Sequence, residues 1–416
     1  MQNYQEKLSE HLKKTSIASL SPEEQSFLIR QASTFRFSYQ ELKQLVDMAL
    51  DFRMWGEASL TELWQDFPSR KAAFNAIRDQ WNHLKDTPNS YSRFDPKSYK
   101  IDHKFTFVES SKESLGLGMC PVASPKTRCC NLMTLDVVES CGFDCSYCSI
   151  QSFYNDNQIG LDTDLAAKLE RLELDPDRTY HIGTGQSSDS LLWGNRGGIL
   201  DALFTFARNN PNVILEFKTK SDNISYFIEN SVPKNIICTW SLNTPTIIDN
   251  EEHLTASLDK RIESARKVAD RGVKVGFHFH PIVEYENYLK EYGELFLQLL
   301  DTFEADEVVL VSLGTLTFIK PVIKQLRGRD FKSKILQMPL IDAGGKQSYP
   351  LETKLTMFKH AYESLKPWHD KVFFYMCMED HSLWKDVFGY EYATNEDFER
   401  AMVSSYANKT GVKYAY

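Results

Sequence analysis

Nowhere in the 416-residue chain is there an apolar run near the roughly 18–20 residues that a membrane-spanning helix needs. The opening segment, Met1-Gln2-Asn3-Tyr4-Gln5-Glu6-Lys7, lacks the charged and apolar regions of a secretory signal, so a cytoplasmic protein without membrane contact is expected. Positive charge is also in deficit: 48 Lys and Arg face 57 Asp and Glu, a formal net charge of −9. That argues against a uniformly basic nucleic-acid-binding surface, although a local basic face remains compatible with it. No histidine falls between Cys120 and His181, and no second CxxC or HxxxH pair accompanies the cysteines, so the usual fourth ligand of structural zinc is missing. Gly344-Gly345-Lys346 is too short a signal for a phosphate loop. Eight cysteines, clustered rather than spread, suit a reducing compartment better than a disulfide framework.

The informative cluster is Cys141-Gly142-Phe143-Asp144-Cys145-Ser146-Tyr147-Cys148. Three thiolates from one short loop suit a soft metal centre, and an iron–sulfur cluster is the usual occupant. Three protein ligands for four irons leave one iron open, which an enzyme needs and an electron carrier avoids. A zinc knuckle and inert cysteines are the bland alternatives.

Residues 1–95 read as a helical region. Ser21-Pro22 before Glu23-Glu24-Gln25 is a capping signal, and apolar residues recur at helical spacing through Tyr39–Trp55 and Leu60–Trp81. Met54, Trp55, Leu60, Leu63 and Trp64 form a stripe best explained as a core face. Residues 96–130 read as a connecting segment, with a strand at Lys104–Val108. From 131 to 330, strands expected at Leu132–Val138, Thr179–Gly183, Asn212–Lys218, Asn235–Leu242, Val273–His280 and Glu307–Leu313 alternate with helical patterns. Such alternation predicts a parallel sheet with right-handed crossovers, and six units suit an open (βα) barrel. The cysteine loop then follows the first strand, at the edge where such folds hold their chemistry. Residues 331–416 read as a C-terminal extension packing on the barrel, with a buried strand at Phe373–Met378, a closing helix at Asn395–Ala407 and Cys377 in the core.

The CxxxCxxC spacing resembles that of the radical S-adenosylmethionine (SAM) superfamily. Within it the chain resembles the spore photoproduct lyase branch, DNA repair lyases that revert a thymine dimer. The residues that carry this are Cys141–Gln151, Thr219-Lys220, Ser241-Leu242-Asn243, Ser257-Leu258-Asp259-Lys260-Arg261-Ile262-Glu263, Gly276-Phe277 and Pro281-Ile282. The resemblance implies a partial (βα)6 radical SAM barrel with an N-terminal helical extension. It also implies a [4Fe–4S] cluster on Cys141, Cys145 and Cys148, and SAM cleaved reductively to a 5′-deoxyadenosyl radical with electrons from an external low-potential donor. Ser188, Lys220, Ser241, Asn243 and His280 match positions that line the SAM site. Three of them also have a simpler reading: Lys220 as a solvated strand-end lysine, Ser241 and Asn243 as partners of turn backbone. Tyr147 and Arg261 are the catalytic candidates. Arg261 suits a carboxylate or phosphate, or merely the start of a helix.

Two positions depart from the branch. Gln186 stands where the family has a hydrogen-donor cysteine, and Ser149 where it has a tyrosine of the radical-return path; Tyr147 and Tyr154 remain nearby. The stretch Lys320–Lys354 holds eight Lys or Arg against three acidic residues and is either a DNA-docking face or ordinary solvated surface. The alternatives to DNA repair are a radical enzyme for another substrate, or a non-catalytic iron–sulfur or zinc module.

Overall fold

The computed structural model describes residues 4–96, 104–109, 113–120, 126–149, 157–413 and 415. Gln151 and Tyr154 lie outside these residues. The chain forms two compact units, the first made of Met1–Asp102, Glu284–Glu286 and Thr317–Tyr349, the second of His103–Val283, Asn287–Leu316 and Pro350–Tyr416.

The first unit is built on helices Tyr4–Lys13, Pro22–Phe35, Tyr39–Trp55, Arg70–Asp86 and Lys320–Gly328. Ser21, Ser38 and Ser59 each accept from the third backbone N–H of the helix that follows. Glu24, Glu41 and Glu62 return the bond, so each start is a reciprocal capping box written in local sequence. Leu42, Leu45, Val46, Leu50, Phe52 and Trp55 are buried, as are Met54 and Leu60 of the expected stripe. Leu63 and Trp64 are half-buried. Trp64 sits among the rings of Phe27, Phe35, Phe37 and Phe67.

The second unit is organised by an eight-stranded sheet. Its strands are β1 (Leu117–Met119), β2 (Met133–Leu135), β3 (Tyr180–Thr184), β4 (Val213–Thr219), β5 (Ile236–Ser241), β6 (Lys274–Ile282), β7 (Val308–Thr315) and β8 (Phe373–Met376). They lie side by side in chain order, every pair parallel except β1 with β2. All six expected strands form, and Phe373–Met376 adds one more parallel strand at the far edge. The first expected strand is shorter than its apolar run, because Val138–Glu139 leaves the sheet to pair with Gln158–Leu161. That same strand pairs on its other side with Thr106–Glu109, the strand expected in the connecting segment. Helices Ile199–Asn209, Leu258–Asp270, Tyr288–Thr302 and Leu351–Ser364 fill the crossovers. β5 and β7 are buried along their whole length, as expected of parallel strands covered on both faces. The C-terminal strand ends therefore form one rim that collects the intervening loops.

Candidate active site at the strand ends

The cysteine loop rises from the rim just beyond β2. Asp144–Cys145 pairs antiparallel with Glu252–His253, with Cys145 opposite Glu252. The Cys148 N–H donates to the Cys145 carbonyl at 3.0 Å, closing a tight turn that turns two of the thiols into one region. Gly142 is required by space: a Cβ there would stand 2.6 Å from the Trp193 ring. Burial pushes the Cys141 thiol up to about 12 and raises the Cys145 thiol well above its ordinary value. Among the described residues, no three His, Cys, Asp or Glu side chains converge closely enough to grip a single metal ion.

Beside the loop lies a residue that the motif does not reveal, Glu252. Its Oε1 accepts from Lys220 Nζ at 3.0 Å and from the Tyr147 hydroxyl, while Oε2 pairs with Arg261 at 2.7 Å. Burial works against the charge, but the cations Lys220 and Arg261 outweigh it and hold the Glu252 carboxyl down at about 2. Lys220 Nζ also donates to the Tyr147 oxygen at 2.9 Å. Burial raises the Tyr147 phenol well above its ordinary value, so it stays protonated and donates to Glu252. Lys220 is therefore no loose strand-end lysine. Its side chain is 16% exposed, and two of its three N–H donors are engaged among the described residues.

Arg261 is enclosed by the fold. Its guanidinium side chain is 0% exposed, and donates to the carbonyls of Ala256 (2.8 Å) and Ser241 (2.9 Å) and to Thr255 Oγ1 (2.6 Å), besides Glu252. The arginine expected to be catalytic thus has its described partners within the fold, one of them a carboxylate. Asn243 is likewise bonded within the fold. Its amide donates to the Pro281 carbonyl at 3.0 Å and its oxygen accepts from Tyr292 at 2.6 Å, so it braces the rim from within. Ser241 ends β5 with its carbonyl under Arg261. His280, on β6, is bonded through Nε2 to Ser312 at 2.8 Å, and burial drives its imidazole well below the usual range, so it is neutral.

The loop after β3 supplies the remaining pieces. Asp189 accepts the Leu191 and Leu192 N–H groups at 3.0 and 2.9 Å, and Thr219 Oγ1 and the Lys220 N–H at 2.7 Å each. It ties this loop to the end of β4 and so aims Lys220. Ser188, its neighbour, is 6% exposed, and its buried hydroxyl has no hydrogen-bond partner among the described residues. An orphaned buried hydroxyl costs about 1–3 kcal/mol unless something satisfies it, which marks it as a place for a bound group.

The basic stretch is less available than its composition implies. Arg327 chelates Asp51 at 2.7 and 2.8 Å, and Lys334 is buried against Glu57 at 2.7 Å. Lys354 is buried against Glu379 at 2.5 Å. Those three charges are already neutralised, whereas Lys320, Lys324 and Lys332 are exposed. No described helix is long and apolar enough to cross a membrane.

Comparisons with known proteins bear on the family and the fold. A profile described as spore photoproduct lyase matches residues 131–339. The spore photoproduct lyase of Clostridium acetobutylicum is 32% identical over 173 residues, 40% of this chain and 51% of that protein. That of a Geobacillus species is 30% identical over 128 residues, 29% of this chain and 36% of that protein. The chain thus spans about half the length of the first of these relatives, and less of the second. A solved spore photoproduct lyase complexed with dinucleoside spore photoproduct matches the fold with a TM-score of 0.54 at 19% identity, over 65% of this chain and 82% of that one. A mutant lyase with bound AdoMet and the same dinucleoside matches at 0.52 and 20% identity, over 59% of this chain and 76% of that one. With the matched profile covering half the chain, from β2 through the whole strand-end site, the chain belongs to the spore photoproduct lyase family.

Proposed function

We propose that this chain is a radical SAM enzyme whose substrate is a lesion in DNA. The observation that carries the reading is the joining of the three-cysteine loop to Lys220 through Tyr147 and Glu252, next to the unsatisfied hydroxyl of Ser188. These residues fit a [4Fe–4S] cluster and SAM. Cys141, Cys145 and Cys148 would ligate three irons, Lys220 would hold the SAM carboxylate, and Ser188 and Ser241 would satisfy its polar groups. When bound and reduced, this pair supplies one-electron cleavage of a carbon–sulfur bond and thus a centre able to abstract hydrogen.

The chain's own residues supply position and dryness. Glu252 fixes the ammonium of Lys220 and the phenol of Tyr147, and Arg261 fixes Glu252. Asp189 aims the loop carrying Ser188, and the apolar strands behind the rim exclude water from a reactive radical. A low-potential donor outside the chain provides the electrons. Gln186 has no thiol hydrogen to return, so its presence favours a second reading, the same radical chemistry on a different substrate.

The test is anaerobic, with reconstituted and reduced full-length protein: SAM should be converted to 5′-deoxyadenosine, faster when lesion-bearing DNA is added. No 5′-deoxyadenosine under any condition would remove the enzymatic reading. DNA binding is tested separately. Replacing exposed Lys320, Lys324 and Lys332 by Ala should shrink the salt-dependence slope of log K by up to about 0.9 per lost phosphate contact. An unchanged slope would show that these lysines do not meet DNA.

A further inference from the structure

Of the eight cysteines, three belong to the loop described above and Cys238 is buried within β5. The remaining four, Cys120, Cys129, Cys130 and Cys377, line a single cavity together with Tyr375 and Phe398. They arrive from three separate places. Cys120 directly follows β1, and its N–H is bonded to the Leu132 carbonyl at 2.9 Å. Cys377 directly follows β8, with its N–H on the Leu313 carbonyl at 2.8 Å. β1 and β8 are the two outer strands of the sheet, so these cysteines stand at its opposite edges.

The edges are drawn together at this point. Thr127 forms an antiparallel bridge with Asp380, and the His381 N–H donates to the Lys126 carbonyl at 2.9 Å. Cys129 and Cys130 follow on the same segment, which is anchored firmly. Arg128 Nε reaches the Tyr392 carbonyl at 2.6 Å, the Cys129 N–H reaches Asn395 Oδ1 at 3.0 Å, and Asn131 reaches Glu399 at 2.8 Å. Cys120, Cys129 and Cys130 are half-buried around open space, unlike Cys238, which shows what an inert packed thiol looks like here. Lys218, on β4, lies within electrostatic reach of both Cys377 and Cys120, placing a cation opposite a set of potential anions.

We infer that Cys120, Cys129, Cys130 and Cys377 ligate a second iron–sulfur cluster at the seam between β1 and β8. Four cysteines saturate a cluster, so this one has no open iron for SAM and acts as a clamp between the two edges. A single zinc ion is the competing occupant, and its stoichiometry separates it from a cluster. The inference uses none of the residues of the proposed radical site, so either can fail alone.

The deciding experiment measures iron, sulfide and zinc in the anaerobically reconstituted full chain. Wild type should hold about eight irons and eight sulfides per chain, and both C141A/C145A/C148A and C129S/C130S about four, as expected for two four-iron clusters. The spectral change on adding SAM should vanish in the first variant and persist in the second. Should C129S/C130S fail to fold, the first variant decides alone, since it leaves the seam intact. An iron-free C141A/C145A/C148A protein would overturn the inference. So would one zinc per chain in that variant, or a Cys129–Cys130 pair alkylated at full rate in reconstituted protein.

Discussion

Asp51 in the helical unit and Glu252 at the rim of the sheet are both buried carboxylates held by an arginine. Asp51 is closed off: Arg327 takes both oxygens and the Trp81 indole N–H adds a third bond, at 2.9 Å. Glu252 has the same kind of arginine on one oxygen, but its other oxygen serves Lys220 and Tyr147, and Tyr147 adjoins Cys148. The first network ends in the fold. The second passes the charge outward to the partly exposed ammonium of Lys220, beside the cysteines. Burial and pairing alone therefore do not distinguish a functional carboxylate from a structural one; the distinction lies in whether one partner still faces open space.

The sharpest way to break this comparison is to remove the charge of Glu252. Glu252→Gln leaves Arg261 buried without its anion, so a loss of about 3–5 kcal/mol in unfolding free energy is expected, together with poor SAM binding. Denaturant titration and isothermal calorimetry measure the two effects, and stability loss with normal SAM affinity would place Glu252 with Asp51. Arg327→Ala should cost a similar or somewhat smaller amount, about 3 kcal/mol, because Asp51 would lose its counter-charge while the partly exposed position admits water. SAM affinity should not change in that variant.

Acid provides a graded version of the first test. The Glu252 carboxyl is depressed to about 2 from an ordinary value of 4.5, so its contribution is complete above pH 4.5 and is lost as pH falls towards 2. A shift of that size corresponds to about 3 kcal/mol. The fall in stability through this window should be shallower in Glu252→Gln than in wild type, and parallel curves would refute the assignment.

Lys220→Ala should weaken SAM binding about tenfold while iron content holds, equivalent to about 1.4 kcal/mol. Equal loss of iron would make Lys220 structural. The smallest effect is expected for Ser188→Ala, a weakening of about three- to fivefold from one hydrogen bond. Stability should hold or rise slightly, because the unsatisfied hydroxyl is gone; a clear stability loss would mean that Ser188 has a partner within the fold.

What the sequence determined by itself was everything written in neighbouring residues. The cysteine spacing, the capping signal at Ser21 and the alternation of strands and helices are all local; the cap and the alternation appear where expected, and the capping boxes at Ser38 and Ser59 are just as local. Glu252 could not be found that way, because its partners Tyr147 and Lys220 lie 105 and 32 residues away. Arg261 shows its charge in the sequence, but not that its carboxylate is Glu252 or that its other partners include the carbonyls of Ser241 and Ala256. The stretch 320–354 looked basic for the same reason, while Arg327 meets Asp51 across 276 residues and Lys334 meets Glu57 across 277. Cys120, Cys129, Cys130 and Cys377 have no motif, and only the approach of β1 and β8 brings them to one cavity. Local patterns act through backbone geometry over a few residues and so survive in one dimension. Whether a charge is neutralised or a thiol has company depends on which distant segments the buried core brings together, and that was decided only by the tertiary structure.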